Sequence, residues 1–375
     1  MIAEMNVLSS WRCQRGATLI ELLIGVFVAL VITAAGFAIL TSTEKSTRTN
    51  EQVVETQQNA RIAMDLLSRD IKTAGFGMTG VLADNNCKVG RQPTGAAAPI
   101  VPWDQTIVGA DKGPDEISMV VPLGSMGTPA WTLTNGVGPG FNQITLPAGA
   151  VANMASQAGG SLTSPVAAFL SIGGTVTGTV STSSTVGNTI TFGPAFPSPF
   201  EFGAGTQVYL LQCVTYSIGT TPAACGNGSS PCLRRNGAVI ADGIEDIQFE
   251  YACDGCNSGV NTGVADGIID DQGAIGNGYD SGDFVSNSGW TTSPMTPDKI
   301  RMVKIFIVAR QTSPDEGMGE LKGSGVMTSA PLQVSDHDHS QGVFASGDYA
   351  SLDPPYQRFR RRVLTRTIEA RNLAN

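Results

Sequence analysis

Side chains able to carry chemistry are few in this chain of 375 residues, and they lie in short runs. Both of its two histidines fall in Asp336-His337-Asp338-His339, a donor set that suits a divalent metal, although a polar loop accounts for the run more simply and is the preferred reading. A second run, from Asp254 to Asp283, holds Asp254, Asp266, Asp270, Asp271, Asp280 and Asp283 among glycines and asparagines. Hard cations favour such oxygens. The spacing departs from a calcium loop, because Thr262 and Val264 stand at earlier ligand positions, so Asp266, Asp270 and Asp271 are calcium candidates set against a solvated acidic loop. No other cofactor is expected. Of the seven cysteines, only Cys253 and Cys256 form a C-x-x-C, so zinc held by Cys225, Cys232, Cys253 and Cys256 is less expected than oxidation to disulfides. The chain has no G-x-S-x-G elbow, no H-E-x-x-H and no phosphate-binding G-x-x-x-x-G-K, and catalysis is not expected.

Two unlike regions must position these residues. Leu22 to Leu40 is uncharged, with Thr33 its one polar side chain. As a helix this run measures about 28 Å, close to the hydrocarbon thickness of a bilayer. Arg12 and Arg15 precede it and place the N-terminus in the cytoplasm. A secretory signal would be cut after the run, at small residues such as Ala34, Ala35 and Gly36, but the run is long for that, and Glu21 stands at its entrance, where lipid disfavours an ionised carboxylate. Beyond Leu40 the helical period continues. Val53, Ala60, Met64, Leu67, Ile71 and Ala74 make one apolar stripe, Arg61, Asp65, Arg69, Asp70 and Lys72 read as a solvated face, and Gly75 reads as a C-cap. Gly25 and Gly36 are points where the helix can bend. The formal charge of −9 belongs wholly to the region beyond Gly75, which argues against nucleic acid as a partner.

The string Arg15-Gly16-Ala17-Thr18-Leu19-Ile20-Glu21-Leu22-Leu23 resembles the class III leader of type IV prepilins, with Ala17 where that family usually has phenylalanine. The resemblance implies cleavage between Gly16 and Ala17 by a prepilin peptidase, N-methylation of Ala17, and an assembly role for Glu21 against the new amine of a neighbouring subunit. Further along, Leu67-Ser68-Arg69-Asp70-Ile71-Lys72-Thr73-Ala74-Gly75-Phe76 resembles the helix end of PilW-type minor pilins. Leu233-Arg234-Arg235-Asn236-Gly237, Ala241-Asp242-Gly243-Ile244-Glu245-Asp246-Ile247-Gln248-Phe249-Glu250-Tyr251, and Arg361-Arg362-Val363 with Arg371-Asn372-Leu373 are similar to that family's head.

The implied fold is α+β and type IV pilin-like: a long N-terminal helix, its first half embedded in the membrane, packed on an antiparallel β-sheet head with β-rich insertions. The boundaries are 1–16 for the leader, 17–41 for the transmembrane and assembly helix, 42–75 for the amphipathic helix and 76–375 for the head. Cys13 leaves with the leader, so Cys87, Cys213, Cys225, Cys232, Cys253 and Cys256 remain. Sequence proximity pairs Cys225 with Cys232 and Cys253 with Cys256, leaving Cys87 with Cys213. The implied function is that of a non-catalytic minor pilin in an initiation or tip complex, with an adhesive head as an addition and a minor pseudopilin of a type II secretion system as the alternative. Its implied partners are other minor pilins, the major pilin, the prepilin peptidase, the inner-membrane assembly platform and a tip adhesin. The implied location is the inner membrane with a periplasmic head, then the pilus.

Within the head, alternating or apolar runs predict strands at 117–123, 189–192, 207–218, 244–251, 300–309 and 362–370. The last, through Arg362 and Arg366, reads as a strand whose cations meet the acidic surface of the head or of a neighbour. Residues 124–200, rich in Gly, Ser, Thr and Ala, read as a β insertion on the family core.

Overall fold

A computed structural model describes residues 18–77, 98–104, 113–123, 131–163, 168–193, 195, 199–228, 231–256, 264–271, 281–286, 290, 293–314, 332–339, 359–370 and 372. Gly16, Ala17 and Cys87 lie outside them. The chain divides into two compact units, residues 1–51 and 52–375.

Helix α1 (Leu19–Thr73) supplies all the helix of the first unit among the described residues and the opening element of the second. It is unbroken through Gly25 and Gly36. The first unit's apolar side chains, from Leu19 to Leu40, are exposed. In the second unit the apolar stripe is buried as its period predicts, at Ala60, Met64, Leu67, Ile71 and Ala74. Val53 is only half-buried. The helix stops where Gly75 turns its N–H to Val120 O at 3.0 Å, handing the chain to the sheet.

The strands are β1 (Ile100–Trp103), β2 (Glu116–Pro122), β3 (Trp131–Thr132), β4 (Gln143–Thr145), β5 (Phe169–Ile172), β6 (Val176–Ser184), β7 (Thr189–Gly193), β8 (Gln207–Gly219), β9 (Cys232–Arg235), β10 (Ala238–Asp242), β11 (Ile244–Cys253), β12 (Ile300–Arg310), β13 (Gln333–Val334), β14 (His337–Asp338) and β15 (Arg361–Glu369), with a short helix α2 (Ala150–Gln157) after β4. Every strand expected from alternation is present, within a few residues of its expected ends. One covering sheet was the expectation, and two are found. Among the described residues a ten-stranded antiparallel sheet has the path β1-β2-β8-β5-β6-β7-β4, with β3 and the β9–β10 hairpin also joined to it through β8, and a separate sheet has the order β11-β12-β15. Both contribute to one core with α1: Ile117, Met119, Val214 and Tyr216 from the first, Ile247, Phe249, Ile305 and Ile307 from the second.

The insertion has a core of its own. Ile144, Val151, Met154, Leu170, Ile190 and Phe192 pack together with Val208 and Leu210 of β8. Val208, Leu210, Val214 and Tyr216 share one face of β8, and the thirteen-residue strand is long enough to give its first stretch to this cluster and its second to the core with α1. Helix α2 departs from the expected β insertion, because Ala150–Gln157 sits in a Gly-, Ser-, Thr- and Ala-rich composition that carries no strong helical signal.

Two turns explain why the similar strings are spelled as they are. Asn236 and Gly237, both at positive φ (51° and 81°), form the two-residue turn between β9 and β10. The Asn236 side chain also accepts from Thr215 N at 2.8 Å and donates to Cys213 O at 3.1 Å, tying the turn to β8. Gly243 has φ 70°, and a Cβ there would lie 2.5 Å from Arg310 O, so only glycine lets β11 leave β10 alongside β12.

Candidate functional site

The N-terminal surface of α1 is the first candidate. An 18-residue window of this helix is apolar enough to cross a membrane, and none of it is buried in the protein. Its few hydroxyls are satisfied within the helix: Thr33 Oγ1 donates to Ala29 O at 2.8 Å and Thr43 Oγ1 to Ile39 O at 2.9 Å, so they add little cost in lipid. Glu21 has a local partner that the sequence reading missed. Thr18 N donates to Glu21 Oε2 at 3.2 Å while Glu21 N donates to Thr18 Oγ1 at 3.3 Å, a capping box around the first turn. The T-x-x-E spacing of Thr18 and Glu21 was the available signal.

At the other end of α1, Asp70 was expected on the solvated face and is instead buried. It accepts from Tyr216 Oη at 2.6 Å and pairs with Arg235 Nε at 2.9 Å. Burial, then Asp70's charge and hydrogen bond, push the Tyr216 phenol far above its ordinary range, with Arg235 opposing too weakly to cancel them. Burial works against the Arg235 cation, but the bond and charge of Asp70 outweigh it and raise its pKa. The reason for the departure is geometric. Asp70 follows the period of the stripe closely enough (Ala63, Leu67, Asp70, Ala74) to face the sheets, and it reaches the end of β9 there.

Similar strings far apart in sequence therefore meet along α1. Arg366 Nη1 donates to Asp65 Oδ1 at 2.7 Å and to Ser68 Oγ at 3.1 Å, Asn59 Nδ2 donates to Asp242 O at 3.1 Å, and Asn372 Nδ2 donates to Lys72 O at 3.2 Å. Arg361 Nη2 bonds Glu245 Oε1 at 2.8 Å, with the carboxylate fully buried and Arg310 Nη1 3.6 Å from the same oxygen. Arg361 thus meets a buried carboxylate and Arg366 an exposed one on α1, whereas the sequence reading has the strand's cations meet the acidic surface of the head or of a neighbour.

Disulfides join Cys225 to Cys232, which closes the connection between β8 and β9, and Cys253 to Cys256 at the end of β11. Cys213 is also disulfide-bonded, while Cys87, the partner expected for it, lies outside the described residues. In the acidic loop, both carboxylate oxygens of Asp254 accept backbone N–H groups, from Asp266 at 2.9 Å and Gly267 at 3.1 Å. Asp270 Oδ2 accepts from Cys256 N at 2.6 Å and Asp266 Oδ1 from Ile268 N at 3.0 Å. These bonds fold the loop onto itself. Asp266 is exposed, and Asp270 and Asp271 are half-buried.

His337 and His339 depart furthest from expectation. The polar-loop reading places them in solvent, yet both are fully buried, as is Asp246 of β11. His337 Nδ1 and His339 Nε2 lie 2.9 and 3.0 Å from the same oxygen, Asp246 Oδ2. Burial alone raises the Asp246 pKa, but the hydrogen bonds and charges of the two histidines outweigh it and hold the carboxyl far below its usual range. Nothing local announces a contact across 91 and 93 residues.

The family model PilW, Type IV Pilus-assembly protein W, matches residues 215–372. That part of the chain is similar to the PilW family. The match runs from β8 to Asn372 and contains Tyr216, Arg235, Glu245, Asp246, Arg361 and Arg366, the residues that knit the second unit together and hold α1. The match supports a role in type IV pilus assembly, the long helix with antiparallel sheets is an α+β pilin-like arrangement, and the apolar N-terminal helix fits membrane anchoring. No curated protein and no solved structure matches the chain.

Proposed function

We propose that the chain is a minor pilin, a non-catalytic subunit that enters the initiation or tip complex of a type IV pilus. The observation that supports this most is an apolar helical surface, Leu19 to Leu40, left uncovered and opened by a carboxylate, in a chain whose C-terminal half matches a pilus-assembly family. A prepilin peptidase would cut between Gly16 and Ala17, and Ala17 would be N-methylated. The processed chain would wait in the inner membrane with its second unit in the periplasm, where disulfides persist. Withdrawal from lipid into a fibre would be driven by packing of α1 against other minor pilins and the major pilin. Glu21 makes only long bonds to Thr18, at 3.2 and 3.4 Å, so its carboxylate is available to a neighbour's terminal amine. Opposite charges that meet in a low dielectric fix register, because a misplaced subunit leaves one of them unpaired.

Mass spectrometry of sheared fibres tests the proposal: a methylated Ala17 N-terminus in the fibre fraction is the expected result, and an N-terminus at Met1 or after Gly36 sinks it. Replacing Glu21→Gln should deplete the chain from fibres while leaving its membrane level unchanged. Wild-type incorporation of that variant ends the assembly role of Glu21.

A further inference from the structure

We infer that Asp246, His337 and His339 form a binding site for one divalent transition-metal ion of the zinc class, which fastens the β13–β14 hairpin to the outer face of the β11-β12-β15 sheet. Alternation along β11 sends Ile247, Phe249 and Tyr251 into the core shared with α1 and sends Asp246, Gln248 and Glu250 to the opposite face. The hairpin covers that face. Ser335 Oγ donates to Glu250 Oε1 at 2.9 Å, and His337 and His339, two residues apart, reach Asp246 together. The chain's two histidines are thus both spent on one carboxylate.

The donor set is what a borderline cation takes: two imidazole nitrogens and one carboxylate oxygen, all within 4.8 Å of one another and all buried. Donors around a tetrahedral zinc lie about 3.3 Å apart, so separations of 2.9 and 3.0 Å admit the ion after shifts of a few tenths of an ångström. Convergence on a single oxygen is informative. Asp246 Oδ1 is engaged by Gln248 Nε2 at 3.1 Å, which orients the carboxylate and presents Oδ2 to both rings. The ring centroids are 4.6 Å apart, so the two imidazoles bear on one carboxylate oxygen from neighbouring positions. The Cys253, Cys256 and Asp270 group differs, because its sulfurs are joined to each other in a disulfide.

The test uses the full-length chain in detergent, loaded with Zn²⁺ and freed of excess by gel filtration. One zinc per chain is expected, with a rise in Tm that a chelator reverses. Co²⁺ loading should give the d–d absorption of a low-coordinate nitrogen–oxygen site with no thiolate-to-metal charge transfer. Asp246→Asn and His339→Gln should each lower retention at least tenfold. A wild-type chain that retains no zinc, zinc retained equally by a His337→Gln/His339→Gln chain, or a thiolate band with cobalt overturns the inference. Should the variants misfold, the cobalt spectrum of the wild-type chain decides alone.

Discussion

Asp70 shows what a single residue contributes here. A carboxylate on the buried side of a helix is costly unless it is paired and hydrogen-bonded, and Tyr216 and Arg235 supply both, at 2.6 and 2.9 Å. This fastens α1 to β8 and β9 with a directional contact in addition to apolar burial. Removing the phenol oxygen leaves the Asp70 carboxylate short of a donor, so Tyr216→Phe should lower stability by about 1–3 kcal/mol at neutral pH, read by urea unfolding. The pH dependence has a definite sign. The folded state holds the Tyr216 proton more tightly than the unfolded chain does, so the stability it lends is whole below about pH 10 and is lost as pH rises from there towards the folded value. The Phe variant should therefore lose less stability than the wild type between pH 9 and pH 11. Some loss should persist, because burial also pushes the Tyr251 phenol up.

At the scale of elements, α1 is one helix with two environments. Its first part presents apolar side chains to the outside and its last five turns bury a stripe against two sheets. Leu67 lies at the centre of that stripe and is fully buried. Leu67→Ala should cost about 2–5 kcal/mol in chemical unfolding through the cavity it leaves, whereas Ile62→Ala, on the exposed side, should be close to neutral. Equal effects of the two would mean that the second half of α1 is not packed as described. The helix, its stripe and the strands were legible in the sequence, because each is written in a short period of 3.6 or 2 residues. Asp70 departs from its expected place because its charge reads as solvated although its position in the period faces inward, and no period can tell that the residue met there is an arginine.

For the whole molecule, the insertion between β2 and β8 has its own cluster of apolar residues, distinct from the core that α1 shares with both sheets. Excising residues 124–200 should leave the family core folded and the chain competent for fibres. Loss of surface attachment with piliation intact would assign adhesion to the insertion, and loss of fibres altogether would make it part of assembly. The membrane-grade helix, the alternation of the strands and the similar strings were set by neighbouring residues alone, so they could be read directly along the chain. Pairing was not. That two sheets form where one was expected, that Arg361 meets Glu245, and that His337 and His339 are buried on Asp246 depend on segments some ninety or more residues apart, 116 in the first of these pairs. Such contacts exist only once the chain has closed those loops, and loop-closure entropy depends on chain length and says nothing about which side chains will meet.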